Sequence, residues 1–187
     1  MNEDLVILMT EDDEGHATLM RRNLKRSGFN NPIVHFNNGE KLLNYLFGST
    51  NGPEWDSGTP FVILLDIRMP KINGFDVLRR IKEHAKLRAI PVIIISTSDN
   101  PVMMEQCHEL GCLNYIVKPV DYNQFTSTIR QLGLFLRSIQ VPRINWDGNQ
   151  DLTGPSIQSP SPSPSSSSSS SSSPDAIRSS SFSPSSL

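Results

Sequence analysis

The five residues Phe61, Val62, Ile63, Leu64 and Leu65 are all apolar, and the run stops at an acid, Asp66. A strand that is apolar on both faces needs cover on both, the condition of a parallel sheet packed between two layers of helices. In such sheets the ligand site lies just beyond the carboxyl ends of the strands, which is where Asp66 falls. Met69–Pro70 and Asn73–Gly74 follow closely, so the chain bends away at once. Taken alone, the acid is also readable as a helix cap or a turn residue.

Similar runs recur along the chain. Strands are expected at Leu5–Met9, Pro32–Phe36, Phe61–Leu65, Val92–Ser96 and Leu113–Lys118. Between them, Ala17, Leu19, Met20 and Leu24 share one helical face that ends near Gly28, and Leu42, Leu43 and Leu46 share another. Further helices are expected from about Gly74 to His84, Val102 to Leu110 and Tyr122 to Ile139. Five strands alternating with five helices predict an α/β fold, a doubly wound five-stranded parallel sheet, with order 2-1-3-4-5. A long connection rich in Gly, Ser and Pro spans Gly48–Pro60.

Composition bounds the rest. From Gly154 onward the chain is mostly Ser and Pro, with unbroken Ser from Ser165 to Ser173. Such a segment has almost nothing to bury and is expected to be disordered. The expected organisation is one domain over 1–140 and a Ser/Pro-rich tail over 141–187. A net charge of −2 with both signs interspersed implies no nucleic-acid or anionic-membrane partner. The start, MNEDLVILMT, is acidic where a secretion signal is basic, and no run approaches membrane-spanning length. Cys107 and Cys112, without companion ligands, read as a reduced pair. A cytoplasmic location is expected.

The carboxyl ends of these strands carry the chemistry. The first ends in Glu11, Asp12 and Asp13, the third in Asp66, the fourth in Ser96 and Thr97, and the fifth in Lys118. The second contributes only His35, which reads as a half-buried strand residue. Clustered carboxylates repel one another and favour a hard cation; Mg2+ takes one or two carboxylates, a carbonyl and several waters. A carboxylate on the metal, opposite a lysine and a hydroxyl, suits acceptance of a phosphoryl group. Metal and ammonium offset charge on the phosphoryl oxygens while the carboxylate attacks in line. Asp66 stands between the acids and the lysine and is the natural nucleophile.

With the acid pair after the first strand, LLDIRMPKINGFDVL, PVIIISTS and YIVKP, the chain resembles the receiver domains of two-component response regulators over about Asp4–Ile139, a flavodoxin-like fold. The resemblance implies that Asp66 is the phospho-acceptor and that Lys118 pairs with the phosphoryl oxygens. It implies metal contacts from Asp12 directly, Glu11 through water, Asp66, and the backbone carbonyl of Arg68, with Asp13 as the alternative to Asp12. Ser96 occupies the switch position, and Tyr115 resembles the aromatic that reports the switch, though simple core packing explains it as well. A haloacid-dehalogenase-like phosphatase would need a second acid at position 68, where Arg68 stands. A flavodoxin-like flavin binder would need a hydroxyl- or Gly-rich loop where the three acids stand. A pseudo-receiver would lack acceptor residues that are all present here.

The family implies phosphorylation by a sensor histidine kinase. The long loop and MPKINGFDVLRRIK resemble receivers paired with phytochrome-type kinases. No output domain is expected in the residues after the last helix, so a stand-alone regulator is expected, with a phosphate sink or phosphorelay intermediate as the alternative. Its signal would then pass to an unknown downstream protein or a second copy through the face of helix four, strand five and helix five. That face carries Met103, Met104 and Phe125.

Overall fold

The computed structural model describes residues 4–47 and 58–144. Five parallel strands, β1 (Val6–Thr10), β2 (Ile33–Phe36), β3 (Phe61–Leu65), β4 (Val92–Ser96) and β5 (Asn114–Val117), form one sheet in the order β2-β1-β3-β4-β5. They alternate with α1 (Glu14–Arg26), α2 (Gly39–Phe47), α3 (Gly74–Glu83), α4 (Pro101–Glu109) and α5 (Tyr122–Ser138). A single 3-10 turn at Leu87–Ala89, which hydropathy did not signal, leads into β4. Among the described residues, no helix is long and apolar enough to cross a membrane.

Strand alternation divides the core in two. Val6, Leu8, Phe61, Ile63, Leu65, Val92 and Ile94 face α2, α3 and α4, whose Leu42, Leu46, Val77, Leu78, Ile81 and Cys107 complete that layer. Ile7, Met9, Val62, Leu64, Ile93 and Ile95 face α1 and α5, where Ala17, Met20, Leu24, Ile129 and Leu136 cover them. Side chains on a strand point alternately to the two faces, so these runs must be apolar throughout to fill both layers. The doubly wound reading of Phe61–Leu65 rests on this.

Two expectations need correction. Phe125 belongs to the second core layer rather than the outer face, and Met103 and Met104 are half-buried against the first. The exposed apolar residues on or next to α4, β5 and α5 include Val102, Leu113, Val120, Tyr122, Leu134 and Phe135. The domain also runs past residue 140. Arg143 bridges to Pro60, Ile144 accepts a hydrogen bond from the Gly58 amide at 3.2 Å, and the Ile144 side chain is buried. Arg143 donates to the Gly58 carbonyl at 3.2 Å and pairs with Asp4 at 3.1 Å. The remainder of the expected tail, from 145 on, and most of the Gly48–Pro60 connection lie outside the described residues.

The turn after β3 is tight because α3 starts directly beneath it. Asn73 caps α3 by accepting from the Asp76 amide, and the Gly74 amide donates to the Ile67 carbonyl at 2.9 Å. A Cβ on Gly74 would lie 2.0 Å from the Asp66 carbonyl oxygen, so the helix can approach the acid only through a glycine.

Three outcomes follow from this packing. Gly74→Ala should destabilise the domain by about 3 kcal/mol, the upper range of overpacking, in denaturant unfolding, and should shift the Asp66 amide resonance. Gly111→Ala, at φ +86 with no atom within 4 Å of the added Cβ, should cost about 1 kcal/mol of backbone strain and leave Asp66 unmoved. Truncation after residue 140 should lower the melting temperature through loss of the Ile144 burial, worth about 1.5–3 kcal/mol, whereas truncation after Gly154 should not.

Candidate functional site

Three acids follow β1, and the backbone gives each a different place. The Glu11 amide extends the ladder to β2 by donating to the Phe36 carbonyl at 3.0 Å, and its side chain is buried. Asp12 lies one step past the ladder and is exposed. Asp13 is the N-cap of α1, accepting from the His16 amide at 2.8 Å. That hydrogen bond, helped by the His16 charge, holds the Asp13 carboxyl below its ordinary pKa. Asp13 is therefore engaged in capping, and the acids that reach the site are Glu11 and Asp12.

Asp66 is the first residue after β3, its amide tied to the Thr10 carbonyl at 3.0 Å. It is 5% exposed. Its Oδ1 accepts from the Arg68 amide at 3.0 Å, and its Oδ2 accepts from Lys118 Nζ at 2.5 Å. The same ammonium donates to Glu11 Oε2 at 2.7 Å. Lys118 follows β5, where its amide donates to the Ser96 carbonyl at 2.7 Å. One buried lysine thus joins residues beyond β1, β3 and β5. The Arg68 side chain is exposed and takes no part in this contact.

The electrostatics are incomplete. Burial pushes the Glu11 carboxyl above its usual pKa; Lys118 pulls it back and the neighbouring Asp66 charge adds to the upward push. Glu11 Oε1 is buried without a hydrogen-bond partner, and His16 Nδ1 stands 3.5 Å away, beyond the usual hydrogen-bond length. Unpaired buried carboxylate oxygen is costly. Glu11, Asp12 and Asp66 each place an oxygen within 4.8 Å of the other two. This oxygen-only donor set with an open, orphaned carboxylate atom fits a hard divalent cation.

Beside these groups lies the end of β4. Ser96 is fully buried, and its Oγ accepts from the Ser98 amide at 3.2 Å. Tyr115, on β5, is buried and donates its hydroxyl to the Ser98 carbonyl at 2.9 Å; burial pushes the phenol pKa up. A hollow bounded by Asp12, Arg68, Met69, Asn73, Ser98 and Met103 opens next to the acids.

Of the residues expected from sequence, Glu11, Asp66 and Lys118 are joined by direct contacts and Asp12 lies beside the two acids. Ser96 and Tyr115 both hydrogen-bond Ser98, and Asp13, the alternative to Asp12, caps α1. Two residues were missed as participants. His35 Nε2 lies 2.8 Å from the Glu11 carbonyl, and His16 faces Glu11 Oε1. The available signal was the placement of His35 on the strand beside the acid-bearing one, where it pairs with Met9.

Comparison with known proteins agrees with this geometry. The response regulator receiver domain family profile matches residues 7–130. A receiver domain from Rhodospirillum rubrum is 42% identical, with a TM-score of 0.70, covering 75% of this chain and 99% of its own. The Mn(2+)-bound form of response regulator Rcp1, a Synechocystis protein, is 26% identical with a TM-score of 0.64, covering 73% and 98%. The bacteriophytochrome response regulator RtBRR is 36% identical with a TM-score of 0.56, covering 68% and 77%. The profile match over residues 7–130, on a sheet of order 2-1-3-4-5, places this chain in the response regulator receiver domain family.

Proposed function

We propose that the protein accepts a phosphoryl group on Asp66 from a sensor histidine kinase, with Mg2+ as the cation, and signals through its α4–β5–α5 face. The observation that carries this reading is the Lys118 ammonium held between Asp66 Oδ2 and Glu11 Oε2, with Glu11 Oε1 left open. Asp12, Asp66 and the Arg68 carbonyl would hold the cation, with Glu11 acting through water. The cation would supply positive charge opposite the phosphoryl oxygens. An Asp66 oxygen attacks phosphorus as the donor's P–N bond breaks; the bonding electron pair leaves with the imidazole, which takes up a proton. Lys118 moves its hydrogen bond from Asp66 to a phosphoryl oxygen, a charge-assisted contact. Ser96 donates its hydroxyl to another and draws its loop inward.

That loop is already linked to the proposed output face. Tyr115 holds Ser98 by a hydrogen bond, so displacement at Ser96 is felt at β5. The exposed Val102, Val120 and Tyr122 supply apolar contact area for a partner or a second copy. The similarity to a bacteriophytochrome response regulator supports a phytochrome-type kinase as donor.

Acetyl phosphate with Mg2+ should add one phosphoryl group to the wild type by intact mass, and none to Asp66→Asn; a modified Asp66→Asn carrying the group within residues 4–144 would refute the assignment. Saturating Mg2+ should stabilise the wild type by about 2.7 kcal/mol at a hundredfold excess over Kd. Asp12→Ala should lose most of that gain, whereas Asp13→Ala should keep it while losing the α1 helix cap. Beryllofluoride should change self-association or kinase binding in sedimentation and pull-down assays, and Tyr115→Phe should weaken that response while leaving phosphorylation intact. Identical behaviour with and without beryllofluoride would leave a phosphate sink as the better description.

A further inference from the structure

We infer that His35 and His16 are positioning residues that fix Glu11 with its open oxygen turned into the cation site; this rests on the metal reading above. The Glu11 peptide is gripped twice by β2: its amide donates to the Phe36 carbonyl at 3.0 Å, and its carbonyl meets His35 Nε2 at 2.8 Å. A carbonyl can only accept, so His35 Nε2 carries the hydrogen. Glu14 Oε2 stands 3.7 Å from His35 Nδ1, beyond hydrogen-bond length, and Glu14 Oε1 is held by Arg21 at 2.9 Å.

The side chain is fixed at its other end. Lys118 holds Oε2, leaving Oε1 buried with no hydrogen bond and His16 Nδ1 3.5 Å away. The His16 ring sits 6.0 Å from the Phe125 ring, which limits where the imidazole can move. With backbone and Oε2 both tied, Oε1 has little freedom to move. Outer-shell groups that orient a metal-site residue commonly set affinity, and their loss costs about 10–100-fold; here His35 acts through the Glu11 backbone carbonyl.

The test is Mg2+ titration calorimetry on the full-length chain, with melting curves in chelator as the check on folding. His35→Leu should weaken Mg2+ binding by about tenfold, and His35→Gln, which keeps an N–H to donate, should recover most of the loss. His16→Leu, at a side chain 45% exposed and therefore safe for folding, should weaken binding by a smaller factor. A purely structural role would lower the melting temperature in chelator without changing Mg2+ affinity. A folded His35→Leu with wild-type affinity overturns the inference; if His35→Leu does not fold, wild-type affinity in His16→Leu does so. A wild type that binds no Mg2+ overturns this inference and the metal reading together, whereas wild-type binding with unchanged variants overturns only this one.

Discussion

The structure depends on one buried ammonium. In the sheet order, Lys118 follows a strand two places from the one bearing Asp66 and three from the one bearing Glu11. That is roughly 10 and 14 Å of sheet at about 4.8 Å per strand. An extended lysine and inward-leaning carboxylates close the gap, giving contacts of 2.5 and 2.7 Å. Burying three ionised groups is favourable only when their charges and hydrogen bonds are satisfied. Here one positive group faces two negative ones, and Glu11 Oε1 has no hydrogen bond. The fold thus holds a site with residual negative charge, suited to a cation and then to a phosphoryl group that Lys118 can follow.

The carboxyl edge is rigid where that charge must be aimed. The backbone amides of Glu11, Asp66 and Lys118 each donate to a carbonyl on a neighbouring strand, so none of the three can drift without breaking the ladder. The α3 helix presses on Asp66 from below at Gly74. Lys71, in the same turn, takes a left-handed backbone at φ 69, strain of the kind held by over-determined sites. Beyond β4 the constraint is lighter. Ser98 is tied by one hydrogen bond to Ser96 and one to Tyr115, which suits a segment proposed to move.

Much of this was legible from sequence for a physical reason. A parallel sheet covered on both faces demands continuous apolar runs, and Phe61–Leu65 and Val92–Ser96 match the observed strands residue for residue. Their ends therefore located Asp66 and Ser96. The row Glu11–Asp12–Asp13 was harder, since three identical charges do not reveal which one continues the ladder and which caps the helix. Only the pairing of β1 with β2 resolves that. Met103, Met104 and Phe125 are all apolar on successive helices, so the sequence does not say which of them exceeds what the core needs; the packing of α5 against the sheet turns Phe125 inward. His35 reads from sequence only as a half-buried strand residue and His16 as an ordinary helix residue; their proximity to Glu11 exists only across strand and helix in space.

The most direct test of the central claim is denaturant unfolding of the wild type and Lys118→Met, each in chelator and in Mg2+. A buried ammonium holding two carboxylates predicts that Lys118→Met loses about 3–5 kcal/mol in chelator. It also predicts that the variant gains more from Mg2+ than the wild type does, because the cation then meets two uncompensated carboxylates. Equal stability of the two proteins in chelator, or no larger gain in the variant, would contradict it.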